Sequence, residues 1–160
     1  MSNFNLQKIT ILAVTLPASL VLIFPSSHII FSNFSTAHAA GDIMCDSSSN
    51  PCLGTGEDEF MVGGKGSNTM RGQGGDDNIR GGSLDDDIFG GGGNDVISGD
   101  SGHDEISGGP GDDEISGGSG ADILEGDEGA DSFNCGSGTD SLDDFNLEEG
   151  DTKSSDCEYF

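Results

Sequence analysis

An apolar side chain stands at every ninth position from residue 61 to residue 142: Met61, Met70, Ile79, Ile88, Ile97, Ile106, Ile115, Leu124, Phe133 and Leu142. The residues flanking each are mostly polar, as in Glu105-Ile106-Ser107, Glu114-Ile115-Ser116 and Ser132-Phe133-Asn134. Polar-apolar-polar triplets predict three-residue strands that turn only their middle side chain inward. A strand that short holds nothing by itself. Stacked in parallel with its copies, about 4.8 Å apart, it gains a partner on each side.

The six residues between triplets carry the rest of the pattern. With units beginning at Gly54, Gly63, Gly72 and so on to Cys135, position one is Gly in nine units of ten and position four is Gly in eight. Position six is Glu59, Asn68, Asp77, Asp86, Asp95, Asp104, Asp113, Asp122, Asp131 and Asp140. Glycine permits positive φ and sharp curvature, so each unit reads as a six-residue turn followed by a minimal strand. Two units make one coil. Its two strands face each other, giving one inner ladder of Met61, Ile79, Ile97, Ile115 and Phe133 and a second of Met70, Ile88, Ile106, Leu124 and Leu142. The fold class is therefore all-β, a parallel solenoid of about five coils from ten nonapeptides.

Charge adds the chemistry. All 30 acidic residues lie beyond residue 39, against four basic ones, and no Lys or Arg occurs between Gly81 and Thr152. Such a surface repels nucleic acid and anionic membranes and attracts cations. The turns offer carboxylates and backbone carbonyls, hard oxygen donors that suit Ca2+ better than Mg2+ or softer metals. Units n and n+2 share one side of the roll. One side stacks Asp77, Asp95, Asp113 and Asp131, and the other stacks Asp86, Asp104, Asp122 and Asp140. Three gaps on each side give six slots with Asp on both walls. Glu59 with Asp77, and Asn68 with Asp86, would add two more that are weaker or empty, for up to eight. The acids outside position six, such as Asp76, Asp85, Asp87, Glu105 and Glu114, are expected to face solvent, and Leu84 at position four puts its turn in question.

The columns match the GGxGxDxUx nonapeptide, a calcium-binding β-helix repeat. The chain resembles the repeats-in-toxin (RTX) family over Gly54 to Asp143. The resemblance implies a right-handed parallel β-roll with Ca2+ held in the turns of alternate units. It implies the position-six carboxylates of Asp77, Asp86, Asp95, Asp104, Asp113, Asp122, Asp131 and Asp140 as ligands, less surely Asn68 and Glu59. It also implies the turn carbonyls, here Gly72, Gly81, Gly90, Gly99, Gly108, Gly117 and Gly126. Familiar members join such a roll to a large toxin, protease or lipase domain, and no segment of this sequence reads as one.

Residues 1–39 read as a secretory leader: Lys8 near the start, an apolar run from Ile9 to Phe24, and a small-residue exit at Ala37-His38-Ala39. Left uncleaved, it would tether the roll to the outer face of a membrane. Residues 40–53 and 144–160 then flank the roll of 54–143 as caps. The four cysteines sit at its two ends, which favours disulfides Cys45–Cys52 and Cys135–Cys157. Zinc is disfavoured, since no CxxC occurs and His103 is the only histidine beyond the leader. His103, next to Asp104, reads as a turn residue, and no catalytic set is apparent. The chain is expected to be an extracellular calcium-binding roll that folds on binding. The alternatives are an adhesion or envelope module that self-associates through Ca2+, and a remnant or accessory of a secreted hydrolase.

Overall fold

The computed structural model describes residues 41–45 and 51–157. The expected leader over residues 1–39 lies outside them. Among the described residues there are thirteen strands and no helix: β1 (Asp42–Met44), β2 (Cys52–Leu53), β3 (Phe60–Gly64), β4 (Thr69–Gly74), β5 (Asn78–Ser83), β6 (Asp87–Gly92), β7 (Val96–Ser101), β8 (Glu105–Ser107), β9 (Glu114–Gly120), β10 (Ile123–Glu125), β11 (Ser132–Gly138), β12 (Ser141–Leu142) and β13 (Thr152–Lys153). Odd-numbered strands form one sheet in chain order and even-numbered strands form the other. Every pairing is parallel. Ile79 lies opposite Ile97 and Ile97 opposite Ile115, while Ile88 lies opposite Ile106 and Ile106 opposite Leu124. The period of nine, taken two units at a time, is thus the coil of a β-roll.

The core is the two predicted ladders. Nine of the ten position-eight side chains are at most 2 % exposed, and Leu142 at the end is 7 % exposed. Each adds about 1.5–3 kcal/mol on burial. The ladders are only one side chain wide, so the apolar core is thin for the length of chain that it orders.

One expectation needs correction. Strands of three residues hold for β8 and β10, but β4, β5, β6, β7, β9 and β11 run to six or seven. Pairing continues round the bend into the next unit, as in Gly82 opposite Asp100 and Gly118 opposite Gly136. The ten nonapeptides make the expected five coils, β3 to β12, and the stack extends beyond them. The segments before and after the repeats pair with it through β1, β2 and β13, giving sheets of seven and six strands, or about six coils. Cys52 lies opposite Met70, in the place of an apolar position eight.

Both expected disulfides are formed, Cys45–Cys52 and Cys135–Cys157, one at each end of the stack. Phe145 packs on Phe133, with ring centroids 6.2 Å apart, and covers the last coil. Leu84 does keep its turn, at the cost of a φ of 69° and an exposed side chain. Gly93 shows why the column prefers glycine: its φ is 132°, and a Cβ there would lie 2.2 Å from the carbonyl oxygen of Gly75.

Candidate metal centre

The position-six side chains point inward although they are acids. Asp77, Asp86, Asp95, Asp104, Asp113, Asp122, Asp131 and Asp140 are all at most 3 % exposed. Each is held by one oxygen. Oδ1 accepts the backbone N–H of the position-six residue one coil earlier: Glu59 to Asp77 at 2.8 Å, Asp77 to Asp95 at 2.8 Å, Asp95 to Asp113 at 2.7 Å and Asp113 to Asp131 at 2.9 Å. On the other side Asn68 donates to Asp86, Asp86 to Asp104, Asp104 to Asp122 and Asp122 to Asp140, at 2.8 to 3.0 Å. Two continuous carboxylate columns result, one along each side of the roll.

The second oxygen is different. Oδ2 of Asp77, Asp86, Asp95, Asp104, Asp113, Asp122 and Asp131 is buried and has no hydrogen-bond partner. It points at position one of its own unit. A Cβ on Gly99 would meet Asp104 Oδ2 at 2.3 Å and the carbonyl oxygen of Gly117, one coil on, at 2.7 Å. Gly72, Gly81, Gly90, Gly108 and Gly117 show the same convergence of their own unit's carboxylate and the next coil's position-one carbonyl. Position one is therefore glycine because two oxygens crowd it. Both are acceptors, and no donor lies between them.

Burying an unpartnered carboxylate is costly. The cost appears as raised pKa values. Burial pushes Asp77 up to about 6, and Asp104 and Asp113 up to about 7, against the N–H bonds that hold them down. Burial likewise raises Asp86, Asp95, Asp122 and Asp131. Neighbouring carboxylates in the same column add to most of these shifts, as Asp122 and Asp86 do at Asp104. A proton or a cation would relieve them. The donor set is oxygen only. All four cysteines are in disulfides, and the exposed His103 uses Nδ1 to accept the Ala121 N–H at 2.8 Å. Buried carboxylate oxygens without donors, set beside backbone carbonyls, fit Ca2+.

The first two units are built otherwise. Glu59 is closed by Thr55: Thr55 N–H donates to Oε2 at 2.9 Å and the Thr55 hydroxyl donates to Oε1. Asn68 puts an amide where the other units put Oδ2, and its Nδ2 donates to the Gly66 carbonyl and to Asp86 Oδ1 at 3.2 Å. The amide N–H thus fills the place of a cation between two oxygens.

Three features were not foreseen. Asp151 is 4 % exposed and its Oδ1 accepts the Asp131 N–H at 3.0 Å, so it stands one coil beyond Asp131. Asp76 and Asp85, expected only to face solvent, are exposed but also accept the N–H of Asn94 and His103 one coil later, at 2.8 and 2.9 Å. Asn94 and Asp112 continue that position-five ladder to Asp112 and Ala130. Glu105 and Glu114 are exposed as expected, and Asp87 is half-buried.

The four-copy model of the RTX calcium-binding nonapeptide repeat matches residues 53–86, 80–115 and 107–142, over half of the chain. No curated protein and no solved structure shows significant similarity to it.

Proposed function

The chain belongs to the RTX calcium-binding nonapeptide repeat family, and from that premise we propose that it is an extracellular Ca2+-binding roll whose folding is coupled to the ion. The observation that carries this reading is the set of seven buried, unpartnered Oδ2 atoms from Asp77 to Asp131. The ligands assigned are the carboxylates of Asp77, Asp86, Asp95, Asp104, Asp113, Asp122, Asp131 and Asp140, with turn carbonyls that include those of Gly90, Gly99, Gly108, Gly117 and Gly126. Bound there, Ca2+ supplies the positive charge that the carboxylate columns lack. It joins successive coils and adds the stabilising contribution that the thin core does not. Glu59 and Asn68 are assigned no ion, since their own hydrogen bonds close them.

The two disulfides favour an oxidising compartment, and the leader-like residues 1–39 favour export. Extracellular calcium modules commonly have Kd values of about 10⁻⁴ to 10⁻³ M. At such affinity the chain stays unfolded at cytosolic Ca2+ and orders outside. The activity proposed is binding, and no residue is assigned a catalytic role. Calorimetric titration of the chelator-treated protein with CaCl2 and with MgCl2 tests the reading. Several Ca2+ ions per chain and weak Mg2+ binding are expected. No Ca2+ uptake, or equal uptake of Mg2+, would overturn it.

A further inference from the structure

We infer that the roll has a cation site beyond its nonapeptides, between Asp131 and Asp151, which takes a hard divalent ion of the Ca2+ kind. The inference rests on the calcium reading above. Asp131 is 1 % exposed, and its Oδ2 is buried with no partner. In each earlier unit the carboxylate one coil on, 18 residues away, forms the far wall. For Asp131 that place is taken by Asp151, 20 residues away. Its Oδ1 accepts the Asp131 N–H at 3.0 Å, as Asp131 Oδ1 accepts that of Asp113 at 2.9 Å.

The backbone agrees. Thr152 N–H donates to the Asp131 carbonyl at 2.8 Å, as Ser132 N–H does to Asp113. Strand β13 lies on β11 with Ser132 opposite Thr152 and Phe133 opposite Lys153. Residues 146–154 thus form an eleventh unit, set two residues late by Asp144 and Phe145. The family match ends at residue 142, so this unit lies outside it.

Asp151 also ends the column. Its Oδ2 accepts the Asn146 N–H at 2.6 Å, so no unpartnered oxygen faces outward from it. The opposite column differs: Asp140 is not among the carboxylates with a buried unpartnered oxygen. One extra ion is therefore assigned to the Asp131 side alone, where it would join residues 144–153 to the last full coil.

The test is the Ca2+ count of the whole protein by native mass spectrometry, with Asp151→Asn as the variant. The amide keeps an Oδ1 acceptor for the Asp131 N–H, removes the charge and gives up the bond that Oδ2 accepts from the Asn146 N–H. Wild type should carry one ion more than the variant. Hydrogen exchange in saturating Ca2+ adds a second readout: residues 144–153 should be less protected in the variant than in the wild type, while the earlier coils keep their protection in both. Equal counts, or equal protection of 144–153 in the two proteins, would overturn this site alone. A wild type that binds no Ca2+ would overturn the calcium reading and this site with it.

Discussion

Asp113→Asn is expected to change the stability of the roll in opposite directions with and without Ca2+. Asp113 stands in the middle of its column, and its carboxylate faces two proposed ion slots, one toward Asp95 and one toward Asp131. The amide keeps an oxygen to accept the Asp95 N–H. Its other end becomes a donor, as the Asn68 amide already is toward Gly66. In chelator, the variant exchanges an unpartnered buried charge for a hydrogen-bonded neutral group, so it should be no less stable than wild type, and more stable by up to about 1–2 kcal/mol. In saturating Ca2+, the sign reverses. An ion at about 100 times its Kd stabilises by about 2.7 kcal/mol. Weakening the ions on both sides of Asp113 should then cost about 3–5 kcal/mol. Urea denaturation in Ca2+ reads the loss, and the strand signal that the variant retains in chelator, compared with wild type, reads the gain. A variant destabilised equally in both would make Asp113 a packing residue only.

Acid should partly replace calcium. The carboxyls of Asp104 and Asp113 rest at about 7 in the metal-free fold, and that of Asp77 at about 6, against 3.8 when exposed. Their folded values are raised, so the metal-free fold binds more protons than the unfolded chain between pH 3.8 and about 7. Its stability contribution from these groups is complete below pH 3.8 and is lost as pH rises through about 7. The metal-free protein should therefore gain strand structure as pH is lowered from 7.5 to 5. The Ca2+-bound protein should respond oppositely. A proton and an ion compete for the same Oδ2, so the Ca2+ midpoint should rise as pH falls below about 7, and binding at about pH 5 to 6, where the metal-free fold forms with these carboxyls protonated, should release protons. Circular dichroism in chelator across this range, and calorimetry in buffers of different ionisation enthalpy, measure the two effects. A metal-free chain that is equally disordered throughout, with no proton release on binding, would show that these carboxylates are not the buried groups that Ca2+ meets.

Much of this architecture is legible in the sequence because each column has one physical task. Position eight needs an apolar side chain at every coil, so Met61 to Leu142 mark the two ladders and their register. Position six needs an inward carboxylate, and Asp77 to Asp140 supply it without a break. The end cysteines had only short-range partners that fit, and those pairs formed. What was not legible broke the period or had mixed chemistry. Asp151 plays the position-six part, but Asp144 and Phe145 push it two residues late, beyond any count of nine. Asp58, Asp76, Asn94 and Asp112 hold neighbouring coils by a contact that needs only a short side-chain acceptor, so no single residue type marks their column. Gln73, Leu84, Asp100 and Asp127 take positive φ where glycine is preferred. Their place in the stack, rather than their own preference, sets that conformation. Glu59 and Asn68 were expected to make slots that are weaker or empty. The hydrogen bonds of Glu59 to Thr55 and of Asn68 to Gly66, which depend on local turn geometry, were not legible.

The central claim is that Ca2+ supplies stability which the ladders and glycine turns lack. Far-ultraviolet circular dichroism at neutral pH during a Ca2+ titration from excess chelator, with the disulfides intact, tests it most directly. The account predicts a largely unordered spectrum in chelator and a cooperative rise of strand signal as Ca2+ is added, with Mg2+ unable to replace it. Full strand signal already present in chelator, unchanged by Ca2+, would contradict it.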